Sequence, residues 1–168
     1  IFKNIFFIDE KKFKNIIKKN NIVDSFDIKK IYPNSIEIRI KKTDLLGISL
    51  YDNEKFFIGS NGKLIKFEPN NQNLPVVHNL SKIKDFIDLK AIIDKSQLNF
   101  YEISDIYFFP SGRSDIKLKN KILIKLPNKK ILEALNFAFK ITNIEKLKSN
   151  KLIDLRIEKY FISKKWMK

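Results

Sequence analysis

Few side chains in this chain are equipped for covalent or acid–base chemistry, and none stands in a constellation. The single histidine, His78, sits beside Asn79 after Leu74-Pro75 and reads as a loop histidine. One imidazole cannot build a multi-histidine metal site, and no Ser or Cys motif accompanies it. Ser60-Asn61-Gly62 lacks the glycine spacing and the following helix of a phosphate-binding loop. The backbone of Ser111-Gly112-Arg113-Ser114 could hold an anion, yet the segment reads more simply as a surface turn. Asp9-Glu10 falls at a helix start, where capping accounts for it. With no cysteine, disulfides, thiol catalysis and Cys-ligated metals are excluded. The expectation is a non-enzyme with no cofactor and no metal site.

What remains is surface chemistry, and the last stretch of the chain carries most of it. In Leu152-Ile153-Asp154-Leu155-Arg156-Ile157, the apolar residues Ile153, Leu155 and Ile157 alternate as in a strand with one buried face. After Glu158-Lys159 comes Tyr160-Phe161-Ile162-Ser163-Lys164-Lys165-Trp166, which has β-propensity on both faces. Tyr160, Ile162, Lys164 and Trp166 fall on one face; Phe161, Ser163 and Lys165 fall on the other. A final strand offers unpaired N–H and C=O groups along its outer edge, which makes it a docking site or a liability. Aromatic residues are favoured anchors, and Lys164 and Lys165 suit acidic partner residues. These seven residues are the candidate partner-binding site. Asp154 and Arg156 read as structural, anchoring neighbouring strands.

The 168 residues, 43% of them hydrophobic and 15 of them Phe, suffice for one ordinary domain or two small ones. The formal charge is +15, with 31 Lys but only three Arg (Arg39, Arg113, Arg156). There are 29 Ile and 17 Asn against three Ala, the imprint of A/T-rich codons, so part of the charge is compositional. Nucleic-acid readers lean on Arg, whose planar fork matches guanine edges and phosphates. Here Lys is spread over nearly every segment. A basic nucleic-acid-binding or ribosome-associated protein is therefore the alternative reading rather than the first. No apolar run approaches the ~20 residues that span a bilayer. The chain opens on Ile1-Phe2-Lys3 without an initiator Met and reads as a fragment.

The expected fold class is α+β. Residues 1–42 read as helix, strand, strand: Asp9 as N-cap, then Phe13, Ile16 and Ile17 at helical spacing. A strand begins at Phe26-Asp27-Ile28, and Tyr32-Pro33-Asn34-Ser35 turns the chain. The run Ile36-Glu37-Ile38-Arg39-Ile40 alternates like a strand with one buried face. A boundary is expected at Lys42-Thr43-Asp44. Beyond it, 43–168 reads as a mostly antiparallel β region with two helices. Strands are expected at 48–51 and 56–58, with a tight turn at 60–62 into 63–65. A polar loop over 68–73 ends at Leu74-Pro75. Ser81 is expected to cap a helix carrying Ile83, Phe86, Ile87, Ala91 and Ile92. Strands at 100–109, 115–118 and 122–126 follow. Asn128 is expected to cap a helix bearing Ile131, Leu132, Leu135, Ala138 and Phe139, before final strands near 152–157 and 159–166.

The order of these elements resembles the extracytoplasmic part of the bacterial cell-division family FtsQ (DivIB in Gram-positive bacteria). Four stretches carry the resemblance. Ile31-Tyr32-Pro33-Asn34-Ser35-Ile36-Glu37-Ile38 resembles the hairpin that ends the family's POTRA domain. Phe56-Phe57-Ile58-Gly59-Ser60-Asn61-Gly62-Lys63-Leu64-Ile65 resembles its turn-glycine hairpin, and Leu74-Pro75-Val76-Val77 its Leu-Pro loop. Arg113 to Asn120, Leu126-Pro127 and Ile153-Asp154-Leu155-Arg156 resemble its C-terminal hairpin, helix and Asp-Leu-Arg strand. The chain departs from the family at Lys42 and Leu45, where many members carry Glu and Pro. It departs again at Gly59, where many carry Asp, and at Ser114, where many carry Trp.

The resemblance implies a partial POTRA unit over 1–42, lacking its first strand and helix, and a β domain over 43–168. It implies a single-pass protein of the bacterial inner membrane with this part on the periplasmic side. Its partners would be FtsB and FtsL, with no catalysis, no nucleic acid and no small-molecule substrate. The final strands would pair with an extended partner segment.

Overall fold

The computed structural model describes residues 10–51, 54–68, 73–143, 152–157 and 162–164. Within them the chain is α+β, with two sheets. The smaller is an antiparallel pair, β1 (Val23–Ile31) with β2 (Ser35–Lys42), preceded by helix α1 (Glu10–Lys18). The larger has nine strands: β3 (Leu45–Tyr51), β4 (Glu54–Gly59), β5 (Leu64–Lys66), β6 (Val76–His78), β7 (Ile103–Phe108), β8 (Ser114–Leu118), β9 (Leu123–Lys125), β10 (Leu152–Asp154) and β11 (Ile162–Lys164). Their spatial order is β11-β10-β9-β8-β7-β6-β3-β4-β5. Five of its pairings are antiparallel and three are parallel.

The parallel pairings explain where the helices lie. Parallel neighbours need a crossover. Helix α2 (Ile83–Lys95) joins β6 to its parallel neighbour β7, and α3 (Ile131–Thr142) joins β9 to its parallel neighbour β10. The core row crosses the sheet as Val77, Ile106, Ile116, Ile124 and Ile153, which stand opposite one another in register and are all buried. Phe86, Leu89 and Ile93 of α2 and Ala134, Leu135, Ala138 and Ile141 of α3 close over this row in one cluster. The facing row, His78, Tyr107, Asp115, Lys125 and Asp154, runs over the same strands on the side without helices.

Several expectations are corrected. The strand 36–40 does not bury one face: Ile38 is 39% and Ile40 is 52% exposed. Residues 74–78, read as a loop, supply strand β6 in the middle of the sheet. Strand 100–109 begins instead as a short 3₁₀ turn at Phe100–Glu102, with Asn99 accepting from the Tyr101 amide. Neither helix has its expected cap. The residue before α2 is Lys82 and that before α3 is Lys130, neither making a side-chain cap bond. Asn128 instead donates to the Ser111 carbonyl (3.3 Å). The inner face of α2 includes Leu89 and Ile93, while Ala91 is exposed. The strand expected at 152–157 is limited to 152–154, and of the strand expected at 159–166 only 162–164 lies among the described residues. The expected cap Asp9 lies outside the described residues, as does the tip Asp52-Asn53 between β3 and β4.

Candidate partner-binding edge

β11 lies at one end of the nine-strand order. It pairs antiparallel with β10, Leu152 opposite Lys164, Ile153 opposite Ser163, and Asp154 opposite Ile162. No described strand follows it, so its outer edge keeps the N–H and C=O groups that an edge strand leaves unpaired. In this register Ile162 stands opposite Asp154, in the row of the helix-free side. Ile162 is 55% exposed, a branched apolar side chain with no described cover. Of the seven candidate residues, Ile162, Ser163 and Lys164 form β11; Tyr160, Phe161, Lys165 and Trp166 lie outside the described residues.

Between α3 and the residues that follow β10, the strand paired with β11, is a hollow of about 590 Å³ lined in part by Pro127, Lys130, Ala134, Phe137, Leu155 and Ile157. Phe137 and Ile157 are both largely exposed. Lys129, Lys130 and Arg156 face one carboxylate, Glu133, around its rim. An exposed strand edge together with an apolar hollow with a cationic rim matches an extended partner segment carrying apolar and acidic side chains.

Charge on the helix-free side is organised by Asp154 and Arg156. Arg156 donates from Nε to Asp154 Oδ1 (2.8 Å) and from NH2 to Oδ2 (2.5 Å), and its backbone N–H also reaches Oδ1 (3.2 Å). These hydrogen bonds hold the Asp154 carboxyl below the ordinary carboxylate range and push Arg156 up. The expectation that the two residues anchor neighbouring strands is thus corrected to a local two-residue clamp. Next to it, Asp115 is only 3% exposed. Burial pushes its carboxyl up, against the opposing pull of Arg113, Lys125 and Arg156. Arg113 Nε stands 3.2 Å from Asp115 Oδ1, outside hydrogen-bonding geometry, and its guanidinium lies 3.9 Å above the Phe109 ring.

His78, read as a loop residue, lies instead on β6. Its Nε2 is 2.9 Å from Asp105 Oδ1, and its ring stacks on Tyr107 at 4.5 Å. Burial alone would raise the Asp105 carboxyl, but bonds from His78 and Ser104 and the charge of Lys117 outweigh it and hold it low. Only the β6–β7 register makes neighbours of residues 27 apart in sequence. The Ser111-Gly112-Arg113-Ser114 segment is a turn: Gly112 has φ 78°, its N–H donates to the Phe109 carbonyl (2.9 Å), and the Phe109 N–H donates to the Arg113 carbonyl (2.9 Å). Among the described residues no group of three or more His, Cys, Asp or Glu is placed to hold a metal ion. No described helix is long and apolar enough to cross a membrane.

Comparisons with known proteins fit this architecture. Residues 50–156 match the family model "Cell division protein FtsQ/DivIB, C-terminal". The cell division protein FtsQ of Rickettsia conorii is 26% identical over 168 residues, covering 95% of this chain and 61% of the relative. FtsQ of Rhizobium radiobacter is 28% identical over 141 residues, covering 80% of this chain and 66% of the relative. The chain thus spans about three-fifths to two-thirds of the length of these curated relatives. Among solved structures, the major extracytoplasmic domain of the trans isomer of DivIB from Geobacillus stearothermophilus is similar with a TM-score of 0.45 at 13% identity, over 62% of this chain and 99% of that one. Because the family model covers more than half of the chain and includes the sheet from β4 through β10, this chain belongs to the FtsQ/DivIB family of cell division proteins.

Proposed function

We propose that this chain is a non-catalytic scaffold of the division machinery that binds FtsB and FtsL by adding a partner strand to the outer edge of β11. The observation that carries this reading is the position of β11 at the end of the nine-strand order, with Ile162 exposed on it. The hollow lined by Phe137 and Ile157 supports it as a seat for an apolar side chain of the same partner segment. In this reading residues 1–42 are a partial POTRA unit and 43–168 the β domain. The protein is anchored in the inner membrane with both units on the extracytoplasmic side.

The test is binding of the extracytoplasmic FtsB and FtsL segments to the 168-residue chain, with Tyr160→Ala, Ile162→Ala and Trp166→Ala alongside. Interface anchors are expected to contribute about 2 kcal/mol or more, a roughly 30-fold loss of affinity. The melting transition should stay in place. Failure of the intact chain to bind either segment would sink the proposal. Tight DNA or RNA binding with a steep salt slope would favour the basic nucleic-acid-binding alternative.

A further inference from the structure

The turn Ser60-Asn61-Gly62 does more than reverse the chain. The Asn61 Nδ2 amide donates to two backbone carbonyls of another part of the protein, Asn21 (2.9 Å) and Val23 (3.2 Å). Its Oδ1 accepts from the Lys63 N–H (3.1 Å), which fixes the orientation of the amide. The Asn61 N–H donates to Thr43 Oγ1 (3.1 Å), and that hydroxyl also meets Ser60 Oγ at 3.0 Å. Ser60 Oγ accepts from the Asp44 N–H (3.2 Å), the Thr43 N–H donates to the Ile22 carbonyl (2.9 Å), and Asn21 Nδ2 returns a bond to the Leu64 carbonyl (2.7 Å). Thr43 and Val23, at the centre of this network, are both buried.

Six of these bonds link the β4–β5 turn, or the neighbouring β5 strand, with the entrance to β1 or the connection from β2 to β3; the Asn61–Lys63 bond lies within the turn, and the Thr43–Ile22 bond ties the β2–β3 connection to the entrance to β1. We infer that Asn61 and Thr43 form a clasp that locks the β1–β2 sheet to the nine-stranded sheet, so that the two move as one body. Two further observations support this. A Cβ on Gly59 would stand 2.6 Å from Asn61 Oδ1 and 3.0 Å from Thr43 Cγ2, so the clasp closes only over a bare backbone. Among the described residues apolar packing does not fill the joint: a hollow of about 780 Å³ opens between Ile16 and Ile22 on one side and Leu45, Phe57 and Ile65 on the other. The angle between the sheets is therefore set by directional hydrogen bonds rather than by close packing.

The consequence is mechanical and does not depend on what binds at β11. β5 and β11 are the two ends of the strand order, eight steps of about 4.8 Å, or roughly 38 Å, apart. A closed clasp turns the nine-stranded sheet into a rigid spacer that holds the β11 edge at a fixed distance and direction from the β1–β2 unit.

The experiment uses the 168-residue chain and two variants, Asn61→Asp and Thr43→Val. Asn61→Asp is nearly isosteric and keeps the acceptor for Lys63, but it cannot donate to the two carbonyls. Thr43→Val removes the shared hydroxyl and keeps the shape. Residual dipolar couplings should fit one alignment tensor in the wild type and two, one per sheet, in each variant. Exchange of the Thr43 amide should rise at least tenfold while amides of the core row β7–β9 keep their protection. Two tensors in the wild type, or one in both variants, would overturn the clasp. So would exchange rising equally across both sheets, which would make the turn a general stabilising element.

Discussion

Replacing Phe86 by Ala is expected to lower the stability of the chain by about 3–5 kcal/mol, the range for truncating a fully buried aromatic side chain. Phe86 is completely buried on the inner face of α2, within the cluster that includes Val77, Ile106 and Ile116. Its ring fits because β3 carries Gly47 beneath it. A Cβ there would lie 3.1 Å from Phe86 Cζ, 3.2 Å from Val77 Cγ2 and 3.3 Å from the Pro75 carbonyl oxygen. The strand gives up a side chain so that the helix can bring a large one down to the sheet. Gly47→Val should therefore destabilise by overpacking, by about 1–3 kcal/mol. Because the two residues share one space, Gly47→Ala combined with Phe86→Leu should cost less than the sum of the single changes. Urea unfolding followed by circular dichroism measures all five variants, the two single changes of the pair included. A loss below about 1 kcal/mol for Phe86→Ala would mean that the helix does not depend on this contact.

Breaking the Asp154–Arg156 clamp should also lower stability, by an amount that vanishes on acidification. Hydrogen bonds to charged groups contribute about 1.5–3 kcal/mol, and Arg156 is partly exposed, so the discounted loss for Asp154→Asn is about 1–2 kcal/mol at neutral pH. The folded-state pKa of Asp154 is lowered, chiefly by the Arg156 side-chain bonds. Its contribution is therefore present above the unfolded carboxylate value of about 3.9 and is lost as pH falls through the lower folded value. Unfolding curves of wild type and Asp154→Asn should run apart at pH 7 and converge below about pH 4. Asp115 should behave in the opposite sense. Burial raises its folded pKa, so its ionised form opposes folding above that pKa and the opposition fades on acidification. Asp115→Asn should thus gain stability at neutral pH. Parallel pH profiles for the two variants would refute this assignment of environments.

The position of the clamp gives it relevance to the proposed docking edge. Asp154 stands opposite Ile162 in β11, and Arg156 lines the neighbouring hollow. Held by three side-chain bonds to the Asp154 carboxylate, Arg156 presents a fixed rather than a searching cation, which lowers the ordering cost of a partner contact.

Much of the secondary structure was legible because it is local. The β1–β2 and β8–β9 hairpins follow from turn residues between alternating runs, and the two crossover helices from apolar residues at helical spacing. Capping was not legible at Ser81 and Asn128, because a polar residue near a helix start is free to satisfy a more distant backbone group, as Asn128 does at Ser111.

What only the tertiary structure decided is everything that depends on which distant segments become neighbours. Three residues, Val76–His78, are too few to show a period, so the sequence offered no sign that they form the strand between β3 and β7. With that strand come two of the three parallel pairings, the crossover by α2, and the His78–Asp105 pair. Asn61 carries the same lesson. Its sequence context specifies a turn, and the turn exists, with Gly62 at φ 75°. That its amide would find the carbonyls of Asn21 and Val23, about 40 residues earlier, is a matter of strand order. Residue type and periodicity act over a few positions and determined most of the elements. Strand order is set by the burial of the whole core at once, and it alone put β11 at one end of the sheet and the clasp at the other.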